Sequence, residues 1–237
     1  MRSMDHIGLR VERKLKKNAF WGLARRRDSL VLTWRGRLLL VLSLTILSVI
    51  AVRGLYPFLA VNEPVTSGLL VVEGWVSDVA MEVAVAEFKR HRYAKVCVTG
   101  GPIEHGAWMS DYQTFAEQGA ATLLKLGLNP NEIQAIPSKW VRKDRTNAAA
   151  EAFVKWMRGG GATFTTVHLI TEGAHARRSR LLIQRLLGGG VVVGVTSVPR
   201  SDFDPERWWQ SSAGVREVIG ETLAYGYVRF LSWLADE

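Results

Sequence analysis

The chain has 237 residues, 48% of them hydrophobic, which is enough for one domain with a real core plus a further segment. A formal charge of +9 and a pI near 10.0 point first to a nucleic-acid binder. The distribution argues for no nucleic-acid partner: residues 1–37 carry eleven Lys/Arg against three acids, and the other 200 hold 20 basic and 19 acidic residues. A single cysteine, Cys97, excludes an intramolecular disulfide and a cysteine-based metal site. The five histidines are scattered, so no metal site is expected.

The first element in chain order is apolar. Leu38–Val52 reads LLLVLSLTILSVIAV with no charge, and after Arg53 the run GLYPFLAV is again uncharged to Val61. About 20 helical residues cross the hydrocarbon core, so the first run alone is short. Arg53 snorkelling to the interface, with Tyr56 and Phe58 in the headgroup zone and Trp34 in the opposite belt, completes the span. Cations on its N-terminal side predict a cytoplasmic N-terminus and a domain across the inner membrane. The alternatives are a buried core helix and a cleaved signal peptide. The expected organisation is a basic cytoplasmic arm over 1–37, a transmembrane anchor over 38–61 and a periplasmic domain over 62–237.

From Val65 the pattern alternates. Strands are expected at 68–76, 94–102, 131–137, 164–171 and 191–199. Helices are expected at 78–92, 110–127, 144–161, 174–190 and 214–236. The second helix is expected to start on Ser110/Asp111 and stop at Gly127. The last carries a 3.6-period stripe through Val215, Val218, Ile219, Leu223, Tyr227, Phe230 and Leu234. Five apolar strands alternating with helices predict a mostly parallel five-stranded sheet covered on both faces, a Rossmann-like α/β/α sandwich preceded by one transmembrane helix.

Ligands bind such sheets beyond the carboxyl ends of the strands, so the residues that follow each strand are the candidates. Gly100 and Gly101, with Glu104 and His105 close behind, lie in a turn whose N–H groups can take an anion; the alternative is an ordinary tight turn. Arg145, Thr146 and Asn147 open a helix that Asp144 or Thr146 can cap. A cation there opposes the helix dipole, and a bound anion would explain it. His175, Arg178 and Ser179 share a helix face, and the helix start favours a neutral imidazole for acid–base work. Glu73, ending a buried strand, is costly unless paired, and pairing with Arg145 or Arg178 would explain it structurally, with no catalysis. As a functional site, His175 and Glu73 are the candidate catalytic pair, and the other residues candidate ligand contacts. Glu117 reads as a solvated residue. Trp208 and Trp209 can pack, meet lipid or cover the site, and packing is expected for at least one.

These residues resemble a family. VVEGW, VTGGP, the RTNAAAEA helix start and the Thr171, His175, Arg178 segment look like the ElyC/SanA/YdcF-like proteins. PRSDFDPERWW and VIGETLAYGY resemble a membrane-anchored branch of that group. The resemblance covers roughly residues 65–230. It implies a Rossmann-like domain tethered to the inner membrane and linked to envelope integrity, cell-wall (peptidoglycan) biogenesis and lipid-carrier-dependent polysaccharide assembly. One soluble relative is associated with S-adenosylmethionine, but Glu73-Gly74-Trp75 replaces the glycine-rich turn of many relatives and argues against a nucleotide or methyl-donor role here. The family brings no settled reaction or cofactor. The expected function is envelope biogenesis with an anionic, phosphate-bearing small molecule or lipid-linked intermediate as ligand. The alternatives are a non-catalytic scaffold and a nucleotide- or S-adenosylmethionine-binding enzyme.

Overall fold

The computed structural model describes residues 32–104, 109–160 and 164–230, together with the backbone of a short antiparallel pairing between Asn18–Ala19 and Ala24–Arg25. It divides into two compact units, Met1–Leu47 and Ser48–Glu237.

Helix α1, Trp34–Leu59, belongs to both units. Its 26 residues rise about 39 Å, beyond the roughly 30 Å of a hydrocarbon core. The shortfall expected from Leu38–Val52 is made up because the helix continues through Arg53, Gly54 and Pro57. Its most apolar window has a mean hydropathy of 2.4 and no buried residue, so α1 is long and apolar enough to cross a membrane.

The second unit holds five strands: β1 (Ser67–Glu73), β2 (Arg92–Gly100), β3 (Ile133–Pro137), β4 (Thr166–Glu172) and β5 (Val192–Val198). They form one parallel sheet in the order β3-β2-β1-β4-β5. The intervening helices are α2 (Asp78–Arg90), α3 (Phe115–Lys125), α4 (Arg145–Gly159) and α5 (Ala176–Leu187); α6 (Ser212–Phe230) follows β5.

Alternation along β1 explains the layering. Leu69 and Val71 pack with Phe153 of α4 and Ile183 of α5. Leu70 and Val72 pack with Met81 and Ala84 of α2 and Leu123 of α3. A sheet apolar on both faces needs a helix layer on each, and this chain supplies two helices per side. The packing of the second unit reaches back before residue 62: Tyr56 and Leu59 of α1 are buried with Phe203, Trp208 and Val218.

Three elements differ from expectation. Helix α3 starts at Phe115, because Thr114 and Glu117 form a reciprocal capping box. Glu117 is thus a cap and not merely solvated. His175 ends a single 3-10 turn, Gly173–His175, before α5 begins at Ala176. The stripe of α6 is split: Val218 is buried, whereas Val215, Ile219, Leu223, Tyr227 and Phe230 are exposed. Leu234 and His105 lie outside the described residues.

Candidate functional site

The strand order reverses between β1 and β4, since β1-β2-β3 run one way across the sheet and β4-β5 the other. In open parallel sheets the crevice at this switch point is where ligands bind. Glu73 ends β1 there, and His175 follows β4 on its 3-10 turn. A cleft of about 510 Å³ opens at this edge, lined among others by Glu73, Trp75, Gly101, Lys139, Trp140, Arg145, Thr146, His175 and Arg178. That volume suits a small-molecule ligand.

The cleft floor is a matched cluster of charges. Glu73 is buried and accepts hydrogen bonds from Thr171 and from Ser179 Oγ at 3.0 Å. His175 Nε2 lies 3.5 Å from Glu73 Oε1, an ion-pair separation and not a hydrogen bond, and this buried nitrogen has no hydrogen-bond partner. On the other side of the ring, Nδ1 meets Glu221 Oε1 at 2.9 Å. Arg178 donates to Glu221 through Nε (2.7 Å) and Nη2 (2.9 Å), and through Nη1 to Thr146 Oγ1 at 3.1 Å.

Two expectations fail here. Glu73 pairs with neither Arg145 nor Arg178. Ser179 lies one turn into α5 and reaches Glu73 first, while Arg178 turns to Glu221 and Arg145 pairs with Glu104 at 2.9 Å. Nor is His175 neutral. Burial opposes its charge, but Glu73 and Glu221 on either side raise its pKa to about 9. Two carboxylates at contact outweigh one short helix start. Burial likewise opposes ionisation of Glu73, yet the His175 charge and the hydrogen bonds from Thr171 and Ser179 hold it below the usual carboxylate range. Burial also acts against Glu221, but hydrogen bonds from His175 and Arg178 lower it to about 2. The floor is a chain of alternating charges: Glu73, His175, Glu221, Arg178.

The other candidates divide. Arg145 and Thr146 line the cleft. Asn147 donates to Glu151 along its own helix at 2.7 Å, and Ser179 is buried behind Glu73, so neither faces the cleft. Asp144 occupies the N-cap position of α4 at φ 60°, with no side-chain cap, and Thr146 serves Arg178 instead.

The Gly100-Gly101 turn lines the cleft but is a poor anion nest. Pro102 has no N–H, and the Ile103 N–H donates to the Gln113 carbonyl. Gly100 answers a packing need, since a Cβ on it would stand 2.7 Å from the Phe115 Cβ; Gly74, just after β1, answers the same need, 2.1 Å from the Phe115 carbonyl oxygen. The start of α3 therefore sits directly on the ends of β1 and β2.

Several residues escaped the sequence reading. Glu221 is the most consequential, since it orients His175 and neutralises Arg178 from α6. Its signal was a pair of acids one turn apart, Glu217 and Glu221, inside a largely apolar helix. Lys139 and Trp140 were missed because a short loop after the weakest strand carries no motif. Trp140 is 63% exposed and Trp75 38%, and the Trp75 ring stands edge-to-face on His175 at 5.1 Å. Among the described residues Lys139 has no carboxylate partner. A second cluster flanks the switch point: Ser77 donates twice to buried Glu172, and Arg200 reaches Glu217 at 3.1 Å and Glu172 at 3.7 Å.

Compared with models of known protein families, with curated proteins and with solved structures, the chain matches none.

Proposed function

We propose that the protein is an inner-membrane-anchored envelope-biogenesis factor of lipid-carrier-linked polysaccharide or cell-wall metabolism, whose α/β domain binds an anionic, phosphate-bearing ligand. One observation carries this reading: the switch-point cleft sets cations beside aromatic walls. Lys139 and Arg145 stand with the imidazolium of His175, and Trp75 and Trp140 are partly or largely exposed beside them. The Arg145–Glu104 pair is exposed, so a phosphate can replace the carboxylate at little cost. Trp faces left open in the cleft suit the apolar face of a sugar ring, whose hydroxyls can donate to Glu104 and Asp144. The resemblance to ElyC/SanA/YdcF-like proteins, the apolar α1 and the cations that precede it support the envelope setting and an N-terminus in the cytoplasm.

The test is calorimetric. The full-length protein in detergent should bind N-acetylglucosamine 1-phosphate, and Arg145→Ala and Lys139→Ala should each weaken binding about tenfold, as expected for lost charge-assisted contacts. Failure to bind either that probe or inorganic pyrophosphate would overturn the reading. Phosphatase activity of alkaline phosphatase fused after Glu237 checks the periplasmic placement of the domain; an inactive fusion with cytoplasmic fluorescence would reverse it.

A second reading, binding without catalysis, is favoured by one detail. His175 Nε2 is closed off from solvent beside Glu73. If His175→Gln folds, binds the probe and complements a deletion fully, the site is a receptor; loss of complementation alone gives His175 and Glu73 their proton-transfer role.

A further inference from the structure

In α6, Gly214, Val218, Glu221, Tyr225 and Val228 turn inward, and both acids of the helix, Glu217 and Glu221, hold the ends of β4-linked segments near the cleft. The opposite face is apolar and exposed among the described residues. Val215 is 39% exposed, Ile219 42%, Leu223 70%, Tyr227 43% and Phe230 65%. Residues three and four apart share one side of a helix, so these five form a single stripe more than four turns long. Arg216 and Arg229 flank it, and no acid lies on it. A lone exposed leucine needs no explanation, but a continuous stripe does.

The end of α1 shows what covers it. Leu59 and Ser67 are separated by only seven residues, and these are tied down. Glu63 exchanges two backbone hydrogen bonds with Val195, both 2.9 Å, and Asn62 Oδ1 accepts from Ser197 N–H at 2.8 Å. The domain therefore has no free tether and lies directly at the helix end. The elements that flank α1 there are α6, the 3-10 segment Pro205–Gln210 and the start of α5, whose Arg177 donates to the Phe58 carbonyl and lies over the Phe58 ring. Phe58 meets Tyr225 edge-to-face at 5.7 Å, and Trp208 Nε1 donates to the Val52 carbonyl at 3.1 Å. Val52 lies about 10 Å before Leu59 along the helix. A neighbour that reaches back that far along a membrane helix has reached the lipid interface.

We propose that α6 lies in the bilayer interface, with its Val215–Phe230 stripe among the lipids, while buried Trp208 fixes the segment before α6 against α1. The exposed stripe is apolar, carries no acid and is accompanied by Arg216 and Arg229, a surface that suits lipid beside a membrane span. The proposal rests on α1 being a membrane span. It gives α6 two tasks: its outer face meets lipid, while Glu221 and Ala224 on the other side border the cleft. A ligand that carries a lipid tail would then meet the cleft at the membrane surface.

The experiment uses the full chain, with buried Cys97 left in place and one cysteine added at Leu223, Ile219, Leu44 or Lys125. Each variant is labelled with an environment-sensitive fluorophore and reconstituted into phosphatidylethanolamine–phosphatidylglycerol vesicles containing brominated lipid. Leu223→Cys and Ile219→Cys labels should be quenched at least twofold, as should Leu44→Cys within the span, while Lys125→Cys on α3 stays unquenched. Quenching at Leu44 without quenching at Leu223 and Ile219 overturns the interfacial helix and leaves the span standing. No quenching at any position overturns both. A Leu223→Cys label that is shielded from water but unquenched, with the unlabelled Leu223→Cys protein forming disulfide-linked dimers under oxidation, assigns the stripe to a second copy and likewise overturns the proposal.

Discussion

Two histidines seven residues apart in sequence report opposite surroundings. His168 sits inside the sheet on β4, fully buried, accepting from Val65 N–H through Nδ1 (3.2 Å) and meeting Thr196 through Nε2 (3.0 Å). Burial lowers its pKa to about 4, and the ring is neutral. His175 stands at the sheet's carboxyl edge, nearly as buried, yet its pKa is about 9. Burial acts against the charge in both. The difference is that a carboxylate lies at each end of the His175 ring, whereas the hydrogen-bond partners of His168 are the Val65 amide and the Thr196 hydroxyl. The interior of this sheet is a neutral scaffold, and its edge is a place where charges are held in contact.

The largest test of that contrast is to remove a charge from the edge. Glu73→Ala leaves the His175 imidazolium unmatched and the Thr171 and Ser179 hydroxyls without their acceptor. It should cost about 3–5 kcal/mol in urea unfolding of the detergent-solubilised protein at pH 6. A loss under about 1 kcal/mol would mean that the cluster is not matched as described.

The pH profile comes next, and the two histidines oppose each other. The folded pKa of His175 lies above its ordinary 6.5, so its contribution is full below pH 6.5 and is lost as pH rises through 9. The folded pKa of His168 lies below 6.5, so its contribution is full above pH 6.5 and is lost as pH falls through 4. Each limb amounts to about 3 kcal/mol. Stability should therefore peak near pH 6.5. His175→Gln should flatten the alkaline limb and His168→Gln the acid one. Glu221 adds a further loss as pH falls from 4.5 to about 2. Imidazole proton shifts followed by NMR check the assignments directly, and a His175 ring that titrates near 6 would erase the contrast.

Smaller effects bear on the supports of the edge. Thr114→Ala removes the cap that seats α3 on the ends of β1 and β2 and should cost about 1 kcal/mol. Arg145→Ala should cost less than about 1 kcal/mol, because its bridge to Glu104 is exposed, while still weakening phosphate binding. A large stability loss from Arg145→Ala would place it in the scaffold and remove it from the ligand's contacts.

Much of the fold was legible because local signals agreed with the global one. β-Branched runs, glycine stops and alternating periods mark all five strands and five domain helices, and element ends moved by a few residues where a cap decided them. The apolar helix α1 was legible from its lack of charge, although its full length was not, since Arg53 and Pro57 interrupt the pattern without ending the helix. The candidate site was half legible. Glu73, Arg145, Thr146, His175 and Arg178 do come together at one cleft. Their partners could not be read, because Glu221 lies 46 residues beyond His175 on a helix whose own pattern speaks of burial and not of charge.

Composition and periodicity settled the class of the molecule: an apolar helix after a basic arm, and a parallel sheet whose strand ends collect the polar residues. Periodicity tells which residues share a face, but not what that face meets. Only the tertiary arrangement decided that His175 is charged, that the Gly74 and Gly100 positions answer to α3 more than to a ligand, and that the stripe of α6 faces outward. A residue's charge and a helix's buried side depend on neighbours distant in sequence, and those distances close only when the chain folds.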